Sequence, residues 1–179
     1  MIYHLNLREV TYALSEALDY VGVDDTLHGK RVAFMAAEVA KCLNWSQERI
    51  DYIIMAGMLH DCGVSSTDVH THLVTELDWD NSQVHCLRGA KLLSETDLYQ
   101  QFENIILYHH SHWNSLPDYL TEQEKEETNL IYLVDRLDAV RAQLGDQSPQ
   151  QRQQILQTLT KHSGEMFSPK LVQILNTLG

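Results

Sequence analysis

The chain lacks the features that mark several large protein classes. Its 179 residues include only three prolines, eight glycines and three cysteines, and alternation of β-branched residues is nearly absent, which argues against a β-rich fold. Apolar runs stay well short of the roughly 20 residues that cross a bilayer. The start, MIYHLNLREV, is too polar for a signal peptide. We therefore expect no membrane partner.

The cysteines give no framework for crosslinking. Cys42, Cys62 and Cys86 are odd in number and irregularly spaced, so neither a disulfide scaffold nor a CxxC zinc site is indicated, and a reducing, cytoplasmic setting is expected. Basic stripes are missing too, and the formal net charge is −12. This charge argues against a nucleic-acid polymer as partner.

What the chain does have is helical periodicity from end to end. Helix-start signals support this assignment, namely a cap at Ser46, a capping box at Thr121 and Glu124, and Ser-Pro pairs at Ser148 and Ser168. Predicted helices include Leu5 to Tyr20, Ser82 to Glu95 and Leu98 to His110, with an irregular segment over residues 63–80. The pattern predicts an all-α bundle of about seven to eight helices in a single domain.

Polar side chains interrupt or border apolar helical stretches at five places. Two of these are doublets at predicted helix ends, where the backbone opens and adjacent side chains can converge on one centre. A lone histidine is more often a partly exposed helix residue than a ligand, and a lone aspartate can pair with an arginine. Seven such residues on different helices favour a metal site: His28, His60, Asp61, His85, His109, His110 and Asp135.

The charge of this set favours two metal ions. Five neutral histidines and two aspartates carry a formal charge of −2, so two divalent ions would leave a net positive centre inside an acidic protein. Such a centre could activate a water molecule and attract a phosphate. The set contains no serine–histidine–aspartate or cysteine–histidine arrangement, and metal-assisted hydrolysis of a phosphoester is therefore the expected reaction.

Five motifs surround these residues: HGKRVAFMAAEVA, AGMLHDCGV, HCLRGAKLL, ILYHHSHW and IYLVDRLDAV. In this order they resemble the HD superfamily of metal-dependent phosphohydrolases, and more narrowly its HD-GYP subfamily, whose usual ending the tail SGEMFSPKLVQIL also resembles. The likeness spans about residues 14–175. It implies one helical HD domain, with an N-terminal helix and lead-in over 1–27, a metal-binding core over 28–144 and C-terminal helices over 145–179.

The resemblance also implies roles. One metal would bind His28, His60, Asp61 and Asp135, and Asp61 would bridge to a second metal held by His85, His109 and His110. Some members hold a third metal through an acidic residue before the first histidine, a role that Asp24 could fill. Iron or manganese is expected first, with zinc, nickel and magnesium as alternatives. His60 and Asp61 would hold the water that attacks the substrate.

Two departures from the subfamily leave the substrate open. Val64 stands where a lysine usually meets a substrate phosphate, and WNSLPDYL stands where the Gly-Tyr-Pro loop is usual. The leading interpretation is a phosphodiesterase acting on cyclic di-GMP or another small nucleotide. The alternatives are a signalling or ligand-binding module that retains metal, and a di-iron oxygenase, which usually has fewer protein ligands.

Several residues near the ligands could contact the substrate, although each can also be explained as a surface or helix-pairing residue. Candidates are Lys30, Arg31, Arg88, His112, Trp113 and Arg136.

Regulatory input would come from a signalling partner on another chain, and the sequence leaves the oligomeric state open.

Overall fold

The computed structural model describes residues 6–20, 27–64, 77, 82–145 and 148–178. Within these ranges the chain forms eight α-helices and two three-residue 3₁₀ helices, without a β-strand, so the all-α prediction is confirmed. The helices are α1 (Leu7–Tyr20), α2 (His28–Cys42), α3 (Gln47–Leu59), α4 (Gln83–Ser94), α5 (Glu103–Tyr108), α6 (Glu122–Leu144), α7 (Pro149–Thr160) and α8 (Pro169–Leu178).

Local capping explains where several helices begin. The Ser46 hydroxyl accepts a hydrogen bond from the backbone N–H of Arg49, as expected for an N-cap. Thr121 with Glu124, and Ser148 with Gln151, form complete capping boxes before α6 and α7. The predicted starts of these helices are therefore confirmed, and α8 begins at the predicted proline, Pro169.

Two local features differ from the prediction. The helix predicted from Leu98 to His110 is shorter, because a 3₁₀ turn over Gln100–Phe102 precedes α5 and buries both Tyr99 and Phe102. In α1, the apolar pattern predicts a packed face of Val10, Ala13, Leu14, Ala17 and Leu18. Val10 does pack against the core, but Ala13, Leu14 and Ala17 are exposed. Thr11 is buried and its hydroxyl lies 3.2 Å from the Tyr99 hydroxyl, whereas Leu14 is exposed. The predicted irregular segment over 63–80 lies mostly outside the described residues.

Two glycines allow the close backbone approaches that assemble the bundle. A Cβ on Gly57 in α3 would lie 2.7 Å from Cα of Ala33 in α2, so α2 and α3 pack at a distance that only glycine permits. A Cβ on Gly63, just after α3, would lie 2.0 Å from the carbonyl oxygen of His85 in α4. These contacts bring the start of α2, the end of α3 and the start of α4 to one place.

Helix α6 runs through the middle of the hydrophobic core, with Leu130, Ile131, Leu133 and Val134 fully buried. Asp135 follows directly and is only 2 % exposed. A carboxylate at this depth needs charged or hydrogen-bonding partners.

The described helices include none of the length and apolar character that a membrane span requires.

Candidate metal centre

The structure brings all seven predicted donor residues together from five helices. His28 is the first residue of α2, His60 and Asp61 follow the last residue of α3, and His85 lies in α4. His109 and His110 follow α5, and Asp135 lies in the middle of α6. Every one of the five histidines is buried. The cluster therefore sits inside the bundle, where unpartnered polar atoms are costly.

Asp61 is shared between two groups of donors. Its Oδ1 lies 3.4 Å from Nε2 of His85 and 3.9 Å from Nε2 of His109. Its Oδ2 lies 3.4 Å from Nε2 of His60 and 3.8 Å from Nε2 of His28. The donor atoms of Asp61, His85, His109 and His110 lie within 4.8 Å of one another, and so do those of His28, His60 and Asp61.

Asp135 closes the cluster on the α6 side. Its Oδ1 lies 3.3 Å from Nε2 of His28 and 3.9 Å from Nε2 of His60. Its Oδ2 lies 3.7 Å from Nε2 of His110 and accepts a hydrogen bond from Arg136 Nη2 at 2.8 Å. One oxygen thus faces the His28 group, while the other is held by a buried guanidinium.

Three histidines have their Nδ1 atoms next to acceptors. Nδ1 of His60 lies 2.7 Å from the Gly57 carbonyl, and Nδ1 of His109 lies 2.6 Å from the Ile106 carbonyl. Both acceptors lie in the last turn of a helix, where backbone carbonyls lack helical partners. Nδ1 of His28 lies 2.8 Å from Asp138 Oδ2. An Nδ1–H that donates leaves Nε2 as the ring atom that can bind a metal.

The donor set fits divalent metal ions. Several buried atoms have no hydrogen-bond partner, among them Nε2 of His60, Nε2 of His110 and Oδ1 of Asp61. Atoms of this kind cost free energy unless another group compensates them. Their nearest polar neighbours are other ligand atoms 3 to 4 Å away, which is the separation of donors around a common ion. A bound metal ion would therefore provide the compensation.

Burial and nearby charges raise the pKa of one histidine of the cluster and lower the pKa of another. Burial acts against protonation of His28, but hydrogen bonds to Asp135 and Asp138 and the nearby carboxylate charges outweigh it and raise the pKa to about 10. Burial and the neighbouring imidazoles lower the pKa of His109 to about 3. Although burial opposes ionisation of Asp61, nearby imidazoles hold its pKa well below the ordinary value. For Asp135, Arg136 and nearby imidazoles outweigh burial in the same way and hold the pKa well below the ordinary value.

Asp138 was missed by the sequence analysis. It is buried, and besides His28 it accepts hydrogen bonds from Arg31, from Nε at 2.9 Å and from Nη2 at 2.8 Å. Hydrogen bonds from His28 and Arg31 overcome the effect of burial and lower its pKa to about 2. The available signal was its position three residues after Asp135, on the same face of α6.

The six predicted substrate-contact residues are in different surroundings. Arg136 is buried against Asp135, Arg31 pairs with Asp138, and Lys30 pairs with Glu16. Arg88 is exposed and its Nη1 donates to the Gly63 carbonyl at 3.0 Å. His112 stacks with Tyr132, and Trp113 lies half-buried in the second 3₁₀ helix. The third-metal candidate, Asp24, lies outside the described residues.

Comparison with known proteins gives a family and three curated relatives. Residues 27–140 match the family described as HD domain. The chain is 35 % identical over 182 residues to 3'3'-cGAMP-specific phosphodiesterase 1 of Vibrio cholerae, covering 98 % of this chain and 42 % of the relative. The chain is 29 % identical to 3'3'-cGAMP-specific phosphodiesterase 2 of the same organism, covering 94 % of this chain and 34 % of the relative. The chain is 25 % identical to a cyclic di-GMP phosphodiesterase of Thermotoga maritima, covering 93 % of this chain and 48 % of the relative.

A solved structure shows the same fold. The crystal structure described as a cyclic GMP-AMP specific phosphodiesterase of V. cholerae superposes with a TM-score of 0.70 at 18 % identity, over 96 % of this chain and 48 % of the other. At this identity the match concerns the fold alone. The chain spans less than half the length of the curated relatives that it matches.

Proposed function

The chain belongs to the HD-domain family, and we propose that it is a metal-dependent phosphodiesterase that hydrolyses a 3',3'-cyclic dinucleotide. The observation that carries this proposal is the placement of Asp61, whose two oxygens face two separate histidine groups. A carboxylate in this position suits a bridge between two ions, which is the arrangement that clamps a phosphodiester in two-metal hydrolases.

The two ion positions would share Asp61. His28, His60, Asp61 and Asp135 would hold one ion, and Asp61, His85, His109 and His110 the other. When bound, such ions supply an activated water and stabilise charge on the phosphoryl oxygens. Iron or manganese is the first expectation, with zinc, nickel and magnesium as alternatives, because imidazole and carboxylate donors accept all of them to some degree.

The protein residues prepare this chemistry. Asp138 holds Nδ1 of His28, so that Nε2 of the same ring faces Asp135 and Asp61. Arg136 holds one oxygen of Asp135. His28 must lose a proton before a metal can bind at Nε2, and that proton leaves to solvent.

The names of the relatives support the substrate class. The relatives at 35 % and 29 % identity are named for 3'3'-cGAMP, and the one at 25 % identity for cyclic di-GMP. We therefore propose 3'3'-cGAMP as the first substrate to test and cyclic di-GMP as the second. The cationic candidate for a phosphate contact is Arg88, because its guanidinium is exposed beside the carbonyl of Gly63, two residues from Asp61.

A substrate panel tests the proposal. Protein freed of metal and reloaded with manganese or iron is assayed with 3'3'-cGAMP, cyclic di-GMP and a chromogenic phosphodiester. We expect hydrolysis of a cyclic dinucleotide, and loss of both bound metal and turnover in His60→Ala and in Asp61→Ala. His162→Ala, which changes a histidine outside the cluster, should retain both.

Other results would contradict the proposal in different ways. Tight binding of a cyclic dinucleotide by fully metallated protein without any turnover would favour a binding module. Oxygen consumption by the iron-loaded, reduced protein without phosphodiester hydrolysis would favour an oxygenase. Full hydrolytic activity in a metal-free Asp61→Ala variant would exclude the metal mechanism.

A further inference from the structure

The two carboxylates of the cluster are compensated in different ways. Oδ1 of Asp61 is buried without a hydrogen-bond partner. Oδ2 of Asp135, in contrast, accepts two hydrogen bonds from Arg136, one from Nη2 at 2.8 Å and one from Nε at 3.2 Å. The guanidinium therefore gives one oxygen of Asp135 a compensation that this oxygen of Asp61 lacks.

The charge of Arg136 is buried together with the cluster. The residue follows Asp135 in α6 and is only 1 % exposed. A guanidinium keeps its proton in proteins, and salt screens a buried charge much less than a charge on the surface. A permanent positive charge thus lies within hydrogen-bond distance of a predicted metal ligand, where it opposes the binding of a cation.

The oxygen that Arg136 holds lies beside the second ion position, which would be formed by Asp61, His85, His109 and His110. Oδ2 of Asp135 is 3.7 Å from Nε2 of His110, a separation within the range found between Asp61 and its histidines. Nε2 of His110 is itself buried without a hydrogen-bond partner. By position, Oδ2 is thus a possible donor to the second ion, but its two hydrogen bonds direct it to Arg136.

We propose that Arg136 is a positioning residue that keeps Oδ2 of Asp135 off the second ion, which lowers the affinity for this ion and leaves a coordination position on it for water or substrate. The inference rests on the metal centre of the proposed function. Asp135 then binds through Oδ1 alone, on the His28 side, whereas Asp61 bridges. Catalytic metal sites keep such an open position, and structural sites do not.

Arg136→Met tests this role, because it removes the charge and both hydrogen bonds but keeps a long, flexible side chain that can fill the space. We expect the affinity of the metal-free protein for manganese to rise about 10-fold, the lower end of the usual effect of an outer-shell residue. Free manganese is measured by electron paramagnetic resonance. Water proton relaxation should also show fewer exchangeable waters per bound manganese than in the wild type.

A purely structural role of Arg136 predicts the opposite sign, because a disturbed site binds metal more weakly. The matched control is Arg136→Lys, which keeps the positive charge and should show no gain in affinity. A folded Arg136→Met variant that binds manganese no more tightly than the wild type would overturn the role of Arg136 and leave the metal centre standing. Absence of manganese and iron binding by the wild type would overturn the metal centre and this inference with it.

A crystal structure of the metal-loaded wild type decides the question even if circular dichroism shows that Arg136→Met does not fold. We expect Oδ2 of Asp135 to remain hydrogen-bonded to Arg136 and to bind no ion. Oδ2 bound to the second ion would overturn the proposed role.

Discussion

Asp138 Oδ2 lies 2.8 Å from Nδ1 of His28 and 2.8 Å from Nη2 of Arg31, so one buried carboxylate connects the first histidine of the cluster to a guanidinium on the next turn of α2. This contact orients the imidazole and raises its basicity as a ligand. Arg31 in turn compensates the carboxylate, because a buried carboxylate without a cation is unstable.

Asp138→Asn should therefore weaken metal binding without removing a ligand. We expect about a 10- to 100-fold loss of affinity at the His28 position, because the amide oxygen can still accept the Nδ1–H but no longer carries the charge. Isothermal titration with manganese would measure the loss. The matched control is Asp118→Asn, which changes an exposed aspartate and should leave the affinity unchanged. Equal affinities in Asp138→Asn and the wild type would show that the contact does not support metal binding.

The metal-free protein should lose stability as the pH rises from 6.5 to 8.5. The pKa of His28 is raised from 6.5 to about 10 in the folded protein, so its stabilisation is complete below 6.5 and is lost as the pH rises through about 10. The free energy of unfolding should fall by up to about 1.4 kcal/mol per pH unit. His109 and His110, whose pKa values are lowered by burial, are neutral in the folded protein but half protonated in the unfolded chain at pH 6.5, so they offset part of this fall, mainly in the lower half of the range.

Urea unfolding at the two pH values, with and without manganese, would check this prediction. Bound metal replaces the proton on His28, so the metal-loaded protein should not lose stability over the same range. Asp138→Asn should reduce the slope of the metal-free protein, because one of the groups that raises the His28 pKa is then uncharged. A metal-free protein whose stability rises between pH 6.5 and 8.5 would contradict the assigned protonation of His28.

Gly63→Ala should disrupt the site through the backbone. The new Cβ would lie 2.0 Å from the His85 carbonyl oxygen and 2.4 Å from the Gly89 nitrogen, so the turn that carries Asp61 must move away from α4. Overpacking of this kind costs about 1–3 kcal/mol or more. Metal affinity should fall even where circular dichroism shows that the variant is folded. Val64→Ala, on the same turn, is the control and should bind metal normally.

Arg88→Ala should raise KM for a cyclic dinucleotide more than it lowers kcat. Its guanidinium is exposed and donates to the Gly63 carbonyl, where an anionic substrate that reaches Asp61 would pass close to it. Loss of one charge-assisted hydrogen bond corresponds to about a 10-fold change or more. Lys91→Ala removes an exposed cation from the last turn of the same helix and serves as the control. If Arg88→Ala and the control Lys91→Ala have the same KM and kcat, Arg88 does not contact the substrate.

Much of this molecule follows from local sequence. The capping boxes at Thr121 and Ser148 involve residues three apart, so their hydrogen bonds can be anticipated without knowledge of the fold. The seven donors stood out because each places an imidazole or carboxyl group at the edge or in the middle of an apolar helix. The sequence could not identify the buried face of α1, because the contact between Thr11 and Tyr99 joins residues 88 positions apart.

Most helices, several of their starting points and the seven candidate donor residues could be predicted from the amino-acid order, because periodicity and capping act over one or two turns of chain. Only the packed bundle shows which oxygen of Asp61 faces which histidines. It also shows the pairing of Asp138 with His28 across 110 positions and the place of the Cys86 sulfur beside His109. These are distances between side chains of different helices. They depend on how closely the helices approach, which Gly57 and Gly63 permit, and no local pattern encodes them.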